Sequence, residues 1–295
     1  MSKRNPVIII GMARSGTALV THVLGSLPNV HIEVEPHALW KSGNFKYLND
    51  EEYDINEKIV NNIRKKLSGN LNGKQLIEKS PINSLRPYLV HAVFPNAKIV
   101  YLERDPVRCI YSNYVRSLKK DSFKLSIILK KYFLYTGTED LPSAIGERTL
   151  LQQLSATDIP QFFRYTTQMF YLRQVAGILP FGPKLKNFVQ LVKEQGILGY
   201  HVSVYKKAQH YKSIYKELYQ ANMQVFKMEE IMTDLNQIKS MAEFVNIPCP
   251  GDWHKQIRQT FDNERVKEAI KKRDIDQQIE KLLIQNSSLL PQTSY

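Results

Sequence analysis

The sequence predicts an α/β protein built on a parallel sheet with helices on both faces. Three observations carry that expectation. Short apolar runs such as Val7–Ile10 and Lys98–Leu102 are closed by turn residues. They alternate with stretches of helical spacing, and a parallel connection needs a crossover long enough to hold a helix. The first run also passes directly into a loop bracketed by Gly11 and Gly16.

Val7–Ile10 reads as a buried strand because all four residues are apolar, leaving no solvent face. Leu19, Val23 and Leu24 then fall at helical spacing, and Pro28-Asn29 ends that helix. Val30–Val34 and Gln75–Glu78 are the second and third strands. Ser80-Pro81 opens a loop before a helix near Leu85–Phe94, and Pro95-Asn96 turns the chain into Lys98–Leu102, the clearest strand. From Val107 to Tyr219 the pattern is mostly helical, with a largely helical insertion at about residues 116–198. Val204, Tyr205, Ala208, Tyr211, Tyr215, Leu218 and Tyr219 recur every three or four positions and make one core-facing helix stripe. Met223–Lys227 is a further strand and Glu229–Val245 a helix. Asn263–Gln285 reads as one or two polar helices with Val266, Ile270, Ile279 and Leu282 inward. No linker stands out, so residues 1–295 are expected to form a single domain.

Composition narrows the function classes. Hydrophobic residues make up 43% of the 295 and aromatics 10%, which excludes a disordered chain. Lys and Arg number 41 against 28 Asp and Glu, a formal charge of +13 that invites nucleic acid, an anionic membrane surface or an anionic small ligand. Clusters such as Arg64-Lys65-Lys66 and Lys206-Lys207 read as solvated helix faces, and no zinc-finger or RNA-recognition pattern accompanies them. Two cysteines, Cys109 and Cys249, make neither a disulfide framework nor a four-ligand zinc site, so a reducing compartment is expected. With no apolar run long enough for a leader peptide or a membrane span, the expectation is a cytoplasmic protein, with peripheral membrane contact left open.

The strand-to-helix loop Gly11-Met12-Ala13-Arg14-Ser15-Gly16-Thr17-Ala18 has the makings of an anion site. Backbone N–H groups converge at a helix N-terminus, where the helix dipole favours negative charge. Gly11 and Gly16 have the spacing of the nucleoside-triphosphatase loop, so the expected fold is P-loop NTPase-like. Thr17 stands where that loop's lysine belongs and Ala18 where its magnesium-binding hydroxyl belongs. A nucleotide kinase or NTPase with a degenerate phosphate loop is therefore an alternative, as is a basic module binding nucleic acid or membrane.

Ala13-Arg14-Ser15-Gly16-Thr17-Ala18-Leu19 resembles the P-R-S-G-T-T-L loop of sulfotransferases that use 3′-phosphoadenosine 5′-phosphosulfate (PAPS), with Ala18 replacing the second threonine. A strand ending in Arg with Ser eight positions on is that family's second signature, and Ile99–Leu102 leads to Arg104 and Ser112 at this spacing. Glu78-Lys79-Ser80-Pro81 is similar to its lysine-bearing segment. Glu35-Pro36 stands where tyrosylprotein, Golgi-type and several bacterial members place a catalytic glutamate. Gly182-Pro183-Lys184 and Tyr200-His201 are similar to segments of bacterial members.

The resemblance implies PAPS as donor, its desulfated product 3′-phosphoadenosine 5′-phosphate (PAP), and metal-free, in-line sulfuryl transfer to a hydroxyl or amine. Arg14, Ser15, Gly16, Thr17 and Ala18 are then the 5′-phosphosulfate site, and Arg104 and Ser112 the 3′-phosphate site. Lys79 and Arg14 meet charge at the transfer centre, and Glu35 is the general base. His37 is the rival base, with His31 behind it. Glu33, two residues before Glu35, is expected to face the opposite side. The implied acceptor is a small molecule or glycan: a specialised metabolite such as a saxitoxin-type alkaloid, a glycolipid or a sugar, rather than nucleic acid.

Overall fold

The computed structural model describes residues 4–69, 71–118, 150–251, 253 and 275–285. Five strands, β1 (Val7–Ile10), β2 (Val30–Val34), β3 (Gln75–Lys79), β4 (Lys98–Glu103) and β5 (Met223–Lys227), form one parallel sheet in the order β2-β3-β1-β4-β5. The fold is P-loop NTPase-like, as expected. Successive side chains of a strand point to opposite faces, and each face is buried by its own set of helices. Val7 and Ile9, with Ile77, Val100, Leu102 and Phe226, pack against Val20 and Leu24 of α1 (Thr17–Gly25). Ile231 of α7 (Met228–Thr233) and Met241 of α8 (Asn236–Phe244) complete that layer. Ile8 and Ile10, with Leu76, Ile99 and Tyr101, meet Ile63 of α2 (Glu57–Ser68) and Leu89 of α3 (Pro87–Val93).

The long helix α6 (Phe188–Tyr219) closes this second face. Its tyrosine stripe is core, as the spacing predicts: Tyr215 and Tyr219 are buried and donate to the carbonyls of Asn83 at 2.6 Å and Phe94 at 3.0 Å. Gly196 interrupts the helix at φ 68°, ψ 175°, a conformation that glycine supplies without strain. Before it come α4 (Pro106–Leu118) and α5 (Ile159–Gln174). Residues 119–149 of the expected insertion lie outside the described residues, as do Val266 and Ile270. The described part of the tail is α9 (Asp276–Gln285), whose Ile279 is buried against α4 and α6.

Two expectations need correction. The helix expected over Glu229–Val245 is two helices, because Asp234 is extended at φ −132°, ψ 103° and its carboxylate accepts the Asn236 N–H at 2.9 Å. Arg64 does not simply extend into solvent. Its guanidinium donates to the carbonyls of Val93 and Ala92, each at 2.8 Å, and closes the C-terminal end of α3.

Candidate active site

The loop leaving β1 opens between β3 and β4, the neighbours of β1 on either side. Ligands bind open α/β sheets at such switch points, beyond the carboxyl ends of the strands. Three of the candidate residues leave the sheet there: Glu35 just after β2, Lys79 at the end of β3, Arg104 just after β4. Lys79 lies in register with Ile9 of β1 and with Val34 of β2.

The loop has the geometry to hold an anion. Arg14 and Gly16 have left-handed backbones, φ 71° and 95°, which curl the chain tightly ahead of α1. No side chain caps α1, so its first-turn N–H groups are left for a ligand. Ser15 is buried and its Oγ has no hydrogen-bond partner among the described residues. A Cβ on Gly11 would lie 2.6 Å from that Oγ and 2.9 Å from the Leu102 carbonyl, so the loop can pass this close only with glycine. Thr17 is buried at the start of α1, while Ala18 is exposed and offers only its backbone.

Arg14 and Arg104 share the rim. Arg14 Nε donates to Ser112 Oγ at 3.0 Å, and Arg104 Nη1 donates to the Arg14 carbonyl at 2.9 Å. Neither guanidinium forms an ion pair with a carboxylate among the described residues. Two adjacent cations without an acid between them call for an anionic ligand. Helix α4 leans over the loop as Ser112 requires: Asn113 Nδ2 reaches the Ala13 carbonyl at 2.8 Å.

Lys79 and Glu35, both drawn from the sequence, are in direct contact. Lys79 Nζ donates to Glu35 Oε1, and the Glu35 N–H donates to the Lys79 carbonyl at 2.8 Å. His37 Nε2 lies 3.3 Å from Glu35 Oε2, while the buried His37 Nδ1 has no hydrogen-bond partner among the described residues. The three side chains thus form one row, Lys79–Glu35–His37. Burial raises the Glu35 carboxyl, but the His37 hydrogen bond and the Lys79 ammonium outweigh it and hold the group well below the ordinary carboxylate range.

His31 is not in this row. Its Nε2 sits 3.1 Å from Glu33 Oε1, and Glu33 is buried. Strand alternation does not separate Glu33 from Glu35, since residues i and i+2 share a face. The separation comes from the left-handed backbone of Glu35 at φ 51°, which turns the chain off the strand. Next to Lys79, Glu78 is fully buried, accepts from Trp40 Nε1 at 2.7 Å, and is pushed up to about 7 by that burial.

The sequence reading misses Asn113 and the pairing of Lys79 with Glu35. The signal for Asn113 is the four-residue spacing of Cys109, Asn113 and Ser117, which sets all three on the buried side of α4. Among the described residues, no group of three or more His, Cys, Asp or Glu side chains is placed to hold a metal ion. None of the described helices is long and apolar enough to cross a membrane.

Residues 45–145 match the family model described as the Sulfotransferase family. No curated protein matches the chain. Similar solved structures include a sulfotransferase from Alicyclobacillus acidocaldarius, 14% identical, with a TM-score of 0.43 and coverage of 93% of this chain and 99% of that one. The sulfotransferase domain from the curacin biosynthetic pathway is 15% identical at a TM-score of 0.46, covering 98% of this chain and 93% of that one. Mouse sulfotransferase SULT7A1 complexed with PAP is 12% identical at a TM-score of 0.42, covering 92% of this chain and 68% of that one.

Proposed function

We propose, taking as premise that this chain is an enzyme of the sulfotransferase family, that it moves the sulfuryl group of PAPS to a hydroxyl or amine of a small molecule or glycan. One observation carries the reading: an uncapped helix N-terminus and two arginines without acid partners stand at the ends of β1 and β4, one strand away from the Lys79–Glu35 pair. The residues fit the donor. The unpaired Ser15 Oγ, the first-turn N–H groups of α1 and Arg14 would hold the 5′-phosphosulfate, and Arg104 with Ser112 the 3′-phosphate. Ala18 contributes an N–H where the related loops add a hydroxyl.

When bound, PAPS supplies an activated sulfuryl group, whose bond to the 5′-phosphate oxygen breaks as the acceptor atom attacks sulfur. Lys79 stabilises the charge that develops on the departing oxygen. Glu35 accepts the acceptor's proton, and its depressed pKa keeps it in the ionised form a base needs. That same depression makes it a weak base while Lys79 is its partner. Movement of Lys79 to the leaving oxygen removes that restraint, so the base strengthens as the transfer proceeds. His37 orients the carboxylate from its far side. The acceptor class follows the family resemblance alone: a specialised metabolite such as a saxitoxin-type alkaloid, a glycolipid or a sugar.

Calorimetric titration with PAP, beside ATP with and without magnesium, tests the reading. Metal-independent PAP binding that is tighter than ATP binding and is lost in Arg104→Ala is the expected result. Magnesium-dependent ATP binding without PAP binding would overturn it in favour of a nucleotide kinase or NTPase.

A further inference from the structure

The geometry points to Asn113 as a positioning residue that sets the anion loop from behind. Asn113 is buried, and its Nδ2 donates to the Ala13 carbonyl at 2.8 Å and to the Cys109 carbonyl at 2.9 Å. Cys109 Sγ approaches the same Ala13 oxygen at 3.4 Å. The Ala13 carbonyl is therefore held toward α4. In a trans peptide the C=O and the following N–H point in opposite directions. Turning the Ala13 oxygen toward α4 turns the Arg14 N–H away from it, toward the loop's concave side. With the peptide reversed, a carbonyl oxygen would face the anion and repel it.

Consecutive residues of α4 thus grip consecutive residues of the loop. Asn113 holds the Ala13 carbonyl while Ser112 accepts from the Arg14 side chain. The left-handed φ of Arg14 costs a non-glycine residue free energy, and a local conformation of that kind persists when its surroundings over-determine it. Helix α4 is itself anchored from behind. Ser117 Oγ donates to the Asn113 carbonyl at 2.9 Å, accepts the Phe181 N–H at 2.9 Å, and lies 2.8 Å from His201 Nε2. Gly182, next along, packs close to Ala13 and Asn113. The segments around Gly182 and His201 therefore back the loop rather than line it.

This inference rests on reading the loop as an anion site, and the probes separate the two. PAP and inorganic pyrophosphate are titrated into the wild-type protein and into Asn113→Leu, Asn113→Ala and Ser117→Ala, with the Tm of each. Asn113→Leu and Asn113→Ala are expected to weaken both ligands about tenfold, the scale of one buried carbonyl left without its donor. In turnover, KM for the donor rises and KM for the acceptor does not. Ser117→Ala lowers the Tm and leaves both affinities unchanged. Pyrophosphate binding without PAP binding overturns the PAPS reading, while the Asn113 variants still decide this one. Wild-type affinity in a folded Asn113 variant, or an equal loss in Ser117→Ala, would overturn the positioning role.

Discussion

Lys79 and Glu35 are each other's partner: the ammonium assigned to the leaving oxygen donates to the carboxylate assigned to the acceptor's proton. The backbone sets the pair, since Lys79 ends β3 in register with Val34 and Glu35 is the next residue along. If Lys79 serves the leaving oxygen as proposed, donor binding draws it from Glu35. Replacing Glu35 with Gln is expected to lower kcat by at least about a hundredfold, the contribution of a general base. The same change should tighten PAP binding by about two- to fivefold, the range of a partly exposed ion pair. Steady-state kinetics and calorimetry check the two halves separately. Retained turnover would remove Glu35 from the role of base, and weakened PAP binding would show that the pair helps to hold the donor.

The pair also sets an acid limit. The folded Glu35 carboxyl lies below its ordinary 4.5, so its contribution to stability is present above that pH and is lost as the pH falls through the folded value. In thermal unfolding, Glu35→Gln should be less sensitive to pH below about 4.5 than the wild type. Equal acid sensitivity in the two proteins would count against the ion pair.

Glu78 has the opposite sign and a separate window. Burial raises its folded value to about 7 from an ordinary 4.5, so the native state holds a proton that the unfolded chain releases. Stability should then fall as the pH rises from 4.5 toward 7. Glu78→Gln keeps the acceptor for Trp40 Nε1, and the unpaired Asn83 Oδ1 can receive the new amide if the Asn83 amide turns over. The variant is expected to match or exceed the wild-type Tm at pH values above 7 and to lose the slope below it. A wild-type Tm that is flat across this window would refute the assignment.

Much of this was legible in the chain, for definable reasons. Val30–Val34 and Met223–Lys227 are strands with the bounds that their pattern predicts. Short runs closed by breakers leave little freedom in placing a buried strand. Lys79 and Arg104 were legible because each ends or follows such a run, and Arg14 because it lies in the glycine-bracketed loop after one. The Lys79–Glu35 contact was not, because 44 positions separate the two and sheet register alone brings them together. The break at Asp234 was also hidden, since the apolar spacing of α7 continues into α8 and only the backbone of one residue interrupts it.

Gly16 joins fold and site, which makes its substitution informative. Its φ of 95° costs any other residue roughly 1–2 kcal/mol. A Cβ there would also lie 2.6 Å from Met228 Sδ. Gly16→Ala should lower stability and abolish PAP binding. Met228→Ala makes room for the methyl group but leaves the backbone penalty, so measured against Met228→Ala alone, which carries its own cost as a buried core truncation, the double variant should still be less stable. Equal stability of the two on chemical denaturation would mean that crowding, rather than the loop's left-handed turn, requires glycine.

Arg104 touches the site in two ways, and the nucleotide's two phosphates can tell them apart. Its Nη1 supports the Arg14 carbonyl, and its remaining donors are available to a 3′-phosphate. A charge-assisted hydrogen bond is worth about 1.5–3 kcal/mol, so Arg104→Ala should weaken PAP by about 10- to 150-fold. If the loss arises at the 3′-phosphate, adenosine 5′-phosphate, which lacks that group, should bind the variant nearly as well as the wild type. Arg14→Ala should weaken both nucleotides, because its guanidinium is the group proposed to meet the 5′-phosphate. Were Arg104→Ala to weaken the two nucleotides equally, Arg104 would act only by bracing the Arg14 carbonyl. The 3′-phosphate would then need another cation.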